Sequence, residues 1–113
     1  MSNPKTVMPG PARRNGFRSN WEGEYAEHLK QLRASKEILS WAYEPIRLRI
    51  ASNNFYNPDF LVCTDKEIQF HEVKGLQREA SMLRLRTASY QHRWARFYLI
   101  QKTKAGWSIE EII

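Results

Sequence analysis

Cysteine occurs once in this 113-residue chain, at Cys63. That excludes an internal disulfide and any zinc site built from a cysteine cluster. Long apolar runs are missing as well. No stretch approaches the roughly 20 residues a bilayer-spanning helix needs, and the N-terminus lacks the apolar stretch of a signal peptide. No segment joins a basic face to a strongly apolar one, which disfavours a membrane surface as partner. Neither repeats nor low-complexity tracts interrupt the chain. A cytoplasmic, intracellular protein is the expectation. Acids are the scarcer charge: 12 Asp and Glu against 18 Lys and Arg leave a formal net charge of +6. Such a balance favours a polyanionic partner, most commonly nucleic acid.

Core material is plentiful. Hydrophobic residues make up 42% of the chain, with four Trp, five Tyr and five Phe, enough for one domain with a modest core. Residues 1–18 differ in kind, with three prolines, two glycines, four basic residues and no acid. This composition predicts a flexible basic tail ahead of a domain over 19–113. Arg13, Arg14 and Arg18 are its candidate phosphate contacts.

A helix is predicted from Ser19 to about Ser35. Ser19-Asn20-Trp21-Glu22 has capping-box spacing, and Trp21, Tyr25, Leu29 and Leu32 recur at helical period as one buried stripe. Glu22 projects close to the edge of that stripe, so it is better placed to face a sheet than Glu24 or Glu27. Ile38 to Ile50 reads as one strand or two joined pieces, with Pro45 marking an edge or a bulge. Ser52-Asn53-Asn54 is a turn. Strands follow over about Asn57 to Cys63 and Glu67 to Lys74, linked through Thr64-Asp65-Lys66 into an antiparallel meander. Arg78 to Trp94 reads as a second helix, with Ala80, Leu83, Thr87, Tyr90 and Trp94 expected to cover the sheet. Arg78, Arg86 and Arg93 gather on another of its faces, and Arg84 with Gln91 on a third. Arg96 to Lys102 is a buried strand, brought back into the sheet by that helix. Trp107 to Ile113 closes the chain as a short strand or a helical turn. The class is α/β, in the order α-β-β-β-α-β, a central mixed sheet with helices on both sides.

The chemistry concentrates between Tyr56 and Gly75. Strand alternation sends Glu72 and Lys74 to one face and His71 and Val73 to the other, with Asp59 opening the neighbouring strand. Two carboxylates and an ammonium brought together in this way can hold a divalent cation beside a cationic group, an arrangement suited to phosphodiester hydrolysis. Each residue also has a plainer reading. Asp59 after Pro58 could cap a turn, and Glu72 with Lys74 could be a solvated pair on an exposed sheet face. Glu22 is explained by the capping box alone. His71 is expected to pack or face solvent rather than ligate. Cys63, Tyr90 and Trp94 are expected in the core.

Pro58-Asp59 followed by Glu72-Val73-Lys74 resembles the PD-(D/E)xK nuclease superfamily, whose members share the restriction-endonuclease-like fold. The resemblance covers about Ser19 to Lys102, and the wording is similar to small phage-type nucleases, Holliday-junction-resolvase-like members and transposon end-cleaving endonucleases. It implies a Mg²⁺-dependent endonuclease, Mn²⁺ substituting, that cuts DNA and acts as a homodimer; a component that needs a protein partner for specificity or activation is a separate expectation. Asp59 and Glu72 would be metal ligands, with the Val73 carbonyl beside them and Glu22 as the first-helix acid. Lys74 would position or activate the attacking water, and Gln91 and Arg84 would touch the site or the substrate. The rival expectation is a non-catalytic nucleic-acid-binding module whose acids are structural, bound through the arginines of the second helix.

Overall fold

Ser19 is where regular structure takes hold. In the computed structural model, which describes residues 16–74 and 79–113, its extended backbone precedes helix α1 (Asn20–Ala34), and its hydroxyl accepts the Glu22 N–H at 3.1 Å. The other half of the expected capping box is displaced by one residue. Glu22 Oε1 accepts the N–H of Arg18, at 3.2 Å, rather than that of Ser19. The predicted stripe forms: Tyr25 and Leu29 are wholly buried, and Trp21 and Leu32 pack beside them. Packing also reaches ahead of the expected domain start, because Phe17 sits against Tyr43 at 4.7 Å between ring centres. The rest of the expected tail, residues 1–15, lies outside the described residues.

The stretch from Ile38 to Ile50 divides into two strands that belong to different sheets. Strand β1 (Ser40–Tyr43) joins the main sheet, and β2 (Leu48–Ala51) forms a separate two-stranded sheet with β3 (Asn54–Tyr56). The break falls at Glu44-Pro45: Glu44 takes a left-handed φ of 47°, and Pro45 has no N–H for a ladder. The turn at 52–54 is as predicted, with Asn53 at φ 55° between β2 and β3. Leu48 and Ile50 are buried while Arg49 between them is exposed, so this hairpin covers the sheet rather than extending it.

Strands β4 (Phe60–Cys63), β5 (Ile68–Val73), β6 (Arg96–Thr103) and β7 (Gly106–Ile112) complete a mixed five-stranded sheet in the order β1-β4-β5-β6-β7. The β1–β4–β5 run is antiparallel, as the meander reading required, but the β2–β3 hairpin is inserted within it. Helix α2 (Glu79–Gln91) carries the chain across to β6, which runs parallel to β5. The closing segment is a strand, antiparallel to β6. The class is α/β with a mixed sheet, α1 on one face, and α2 with the hairpin on the other. Among the described residues no helix is long and apolar enough to cross a membrane.

One helical face is reversed from expectation. Helix α2 buries Met82, Leu85, Ala88 and Ser89, while Leu83 and Tyr90 point outward and Trp94, in the turn that follows, is half exposed. Both stripes satisfy helical period, so pattern could not choose between them. Side-chain size does. Ala88 and Ser89 let the helix approach the sheet closely, and the Ser89 hydroxyl donates to the Ile112 carbonyl at 2.9 Å.

On the opposite face His71 is buried under α1. The Tyr25 hydroxyl meets its Nδ1 at 2.6 Å, and its Nε2 meets Gln69 Oε1 at 2.9 Å. An amide oxygen can only accept, so Nε2 carries the proton and Tyr25 donates to Nδ1. Burial pushes this imidazole down to about 4, so it is neutral at physiological pH. His71 thus packs, as expected, and does not face the acids.

Candidate active site

The site lies at the end of the sheet where β4 begins and β5 ends. Pro58 is wholly buried and fixes the entry to β4. Asp59 is then held from two sides. Its carbonyl accepts the Glu44 N–H at 2.7 Å, and its Oδ2 accepts the Val73 N–H at 2.9 Å. The β4–β5 register pairs Phe60 with His71, so one further step sets Asp59 opposite Glu72. Directly opposed residues share a face, and this is how residues far apart in sequence bring their carboxylates together.

Glu72 is buried, and both of its oxygens are engaged. Oε1 accepts the Tyr56 hydroxyl at 2.6 Å, and Oε2 pairs with Lys74 Nζ at 3.1 Å. The Lys74 backbone N–H continues the ladder to the Ile100 carbonyl at 2.9 Å, which steadies the lysine just beyond the end of β5. Glu22 arrives from α1 and is also buried. Its Oε1 accepts the Tyr43 hydroxyl at 2.6 Å as well as the Arg18 N–H.

Glu22, Asp59, Glu72 and Lys74 line one cleft of about 440 Å³, joined by Arg18, by Ser81 and Arg84 from α2, and by the hairpin residues Asn54 to Tyr56. Its electrostatics are those of crowded acids. Burial, then the neighbouring charges of Glu72 and Glu22, push the Asp59 carboxyl well above the usual range, against the pull of the Val73 N–H and Lys74. Burial also raises Glu72, opposed by the Tyr56 hydroxyl and Lys74. A divalent cation between Asp59 and Glu72 would relieve both, and carboxylate and carbonyl oxygens are the donors Mg²⁺ and Mn²⁺ prefer. Among the described residues no three His, Cys, Asp or Glu side chains form a ready-made metal cage. Of the expected donors, the side chains of Asp59, Glu72 and Glu22 line the cleft.

The other expected site residues divide. Arg84 and Arg18 line the cleft, although the Arg18 guanidinium is turned to Glu44 at 2.9 Å. Gln91 is exposed at the last turn of α2 and does not reach the cleft, nor do Arg86 and Arg93. Arg93 borders a smaller cleft of about 270 Å³ with Arg96 and Glu111. Arg13, Arg14 and Arg78 lie outside the described residues. Two tyrosines went unnoticed in the sequence, Tyr56 beneath Glu72 and Tyr43 beneath Glu22. Tyr56 stands three residues before Asp59, but its role depends on a hairpin folding back over the sheet. No protein-family model, curated protein or solved structure matches the chain significantly.

Tyr56→Phe tests the support under Glu72. The ring still fills its place in the core, but a buried carboxylate loses a charge-assisted hydrogen bond, so its pKa rises further. Any activity that needs ionised Glu72 should fall about tenfold at pH 7 and recover in part at higher pH. A pH–rate profile with the same midpoint for both proteins would refute this.

Proposed function

We propose that this chain is a metal-dependent endonuclease of the PD-(D/E)xK superfamily, with the restriction-endonuclease-like fold, hydrolysing DNA phosphodiester bonds by attack of water. Branched or junction DNA is the proposed substrate, and a homodimer would serve two strands. The reading rests on one observation above all: Asp59 and Glu72 crowd together in an open cleft with Lys74 paired to one of them. Asp59 and Glu72, with Val73 and Glu22 as further donors, would hold Mg²⁺, which when bound would supply Lewis acidity toward the phosphate and make water at the site easier to deprotonate.

The chain's own groups do the rest. Lys74, partly exposed and already inside the cleft, aims a positive charge at the attacked phosphate and orients the water by hydrogen bonding. Arg84 reaches the same cleft from α2 and neutralises a neighbouring phosphate. Tyr56 and Tyr43 hold Glu72 and Glu22 in fixed orientations, so little reorganisation is needed when charge develops.

Supercoiled plasmid incubated with the purified protein should be nicked in Mg²⁺ or Mn²⁺ and untouched in EDTA. Equal cutting in EDTA, or none under any of these conditions, counts against the proposal. The rival reading, a non-catalytic nucleic-acid-binding module, is favoured by the way Glu72 and Glu22 are already satisfied by protein donors. It expects salt-sensitive binding indifferent to Mg²⁺ and no cutting. A protein that cuts only when a partner subunit is added would keep the hydrolytic reading and add the partner.

A further inference from the structure

The outward face of α2 is built unlike an ordinary solvated helix. Leu83 is 66% exposed, Tyr90 77% and Trp94 56%. Leu83, Thr87 and Tyr90 fall within about 60° of one another on a helical wheel, and Trp94 follows in the turn that continues the strip. Arginines border it. Arg84 lies to one side and Arg86 to the other, both exposed, and exposed Arg93 stands next to Trp94 in the turn. Arg47 and Arg49 are exposed on the hairpin that packs beside α2. Glu79 is the one acid in α2 or that hairpin. Among the described residues none of Arg84, Arg86 and Arg93 has a carboxylate partner.

Trp94 is exposed yet held. Its ring stands edge-on to Phe70, with 5.6 Å between centres and 86° between planes, and its indole N–H donates to His92 Nδ1 at 3.3 Å. His92 Nε2 in turn donates to the Arg49 carbonyl at 2.8 Å, tying the turn to the hairpin. An indole whose N–H is satisfied internally presents little but its π-surface. Its low remaining freedom makes it a prepaid platform.

We propose that this strip binds unpaired nucleotides, Tyr90 and Trp94 stacking on bases while the bordering arginines neutralise phosphates. Aromatic platforms set in a basic track are the means by which single strands are bound without sequence preference. A second copy of this chain is the poorer occupant. Two-fold pairing through the strip would bring the Arg84 and Arg86 borders of both copies together, with only Glu79 to offset them. Arg84 belongs both to the strip's border and to the cleft that holds Asp59 and Lys74. A strand leaving the cleft would therefore run onto the strip, which makes DNA with a single-stranded arm or gap the substrate class. The inference rests on the nucleic-acid reading of that cleft, but not on hydrolysis within it.

Binding measured by fluorescence anisotropy in EDTA, where no metal-dependent cutting occurs, tests it. The probes are an oligothymidylate of about 20 nucleotides, an abasic strand of the same length, and a blunt duplex. The Tyr90→Ala/Trp94→Ala protein should bind oligothymidylate at least about tenfold more weakly, with abasic-strand and duplex affinities within about twofold of the parent. Tyr90→Phe/Trp94→Phe, which keeps two rings, should retain most of the affinity. Tyr90→Ala alone disturbs no core packing and should show the same selectivity at reduced size. Equal losses on all three probes, or on none, would overturn the proposal. So would sedimentation showing that the double substitution turns a dimer into a monomer, since the strip would then be a self-association face. If plasmid nicking fails while base-selective binding survives, hydrolysis is lost and this inference stands.

Discussion

Lys74→Ala is expected to yield a folded protein that still binds DNA and no longer cuts it. The ammonium is partly exposed, so its loss opens no cavity in either apolar cluster. What changes is local charge. Glu72 Oε2 loses its partner at 3.1 Å and Asp59 loses one of the two influences that lower its pKa, so both carboxyls become harder to ionise. A donor aimed at charge that develops only in the transition state is worth about 10²–10³ in rate, and two weakened carboxylates should carry the loss to about 10³ or beyond. Affinity for an uncut duplex in Ca²⁺ or EDTA should fall only by about one phosphate contact, seen as a slightly shallower salt dependence. Lys74→Arg keeps the charge but replaces a compact ammonium with a planar fork, and should restore only part of the rate. Cleavage by Lys74→Ala within about threefold of the parent would remove Lys74 from the chemistry.

How far the sequence discloses this protein depends on which physical signal each part uses. The capping serine, the Tyr25–Leu29 stripe and the Asn53 turn are local, and each was legible because neighbouring residues determine it. The pairing of Asp59 with Glu72 could be read because strand alternation and a short turn together fix register. The hairpin was not legible. A break at Glu44-Pro45 says that a strand stops, but not that the next one leaves the sheet and folds over it. Tyr56, on that hairpin, was missed for the same reason. The buried face of α2 failed differently: two stripes competed, and the one richer in aromatics lost to the one small enough to pack closely. That reversal leaves large apolar side chains in solvent beside arginines, which is the surface the nucleotide-binding proposal uses.

Asp59→Asn should abolish cutting and make the protein more stable at neutral pH. Asparagine keeps an oxygen for the Val73 N–H, so the β4–β5 junction should survive. Cutting should fall by about 10³-fold or more, because a neutral amide neither attracts a cation nor offsets one. The gain in stability follows from the direction of the pKa. Asp59 ionises at higher pH in the folded protein than in the unfolded chain. Below the unfolded value, near 4, both states hold the proton and the group contributes nothing to the balance. As pH rises past that value the unfolded chain gives up its proton first. The folded state then binds more protons, and stability falls until the folded carboxyl ionises too. The parent protein carries that loss at higher pH, and Asp59→Asn escapes it. Its melting temperature should exceed the parent's at pH 8, with the gap closing toward pH 4. Mg²⁺ should raise the parent's melting temperature by screening the same repulsion, and leave that of Asp59→Asn nearly unmoved. A variant that melts lower than the parent at pH 8, or gains as much from Mg²⁺, would mean that the acids of this cleft are not crowded around a place for a cation.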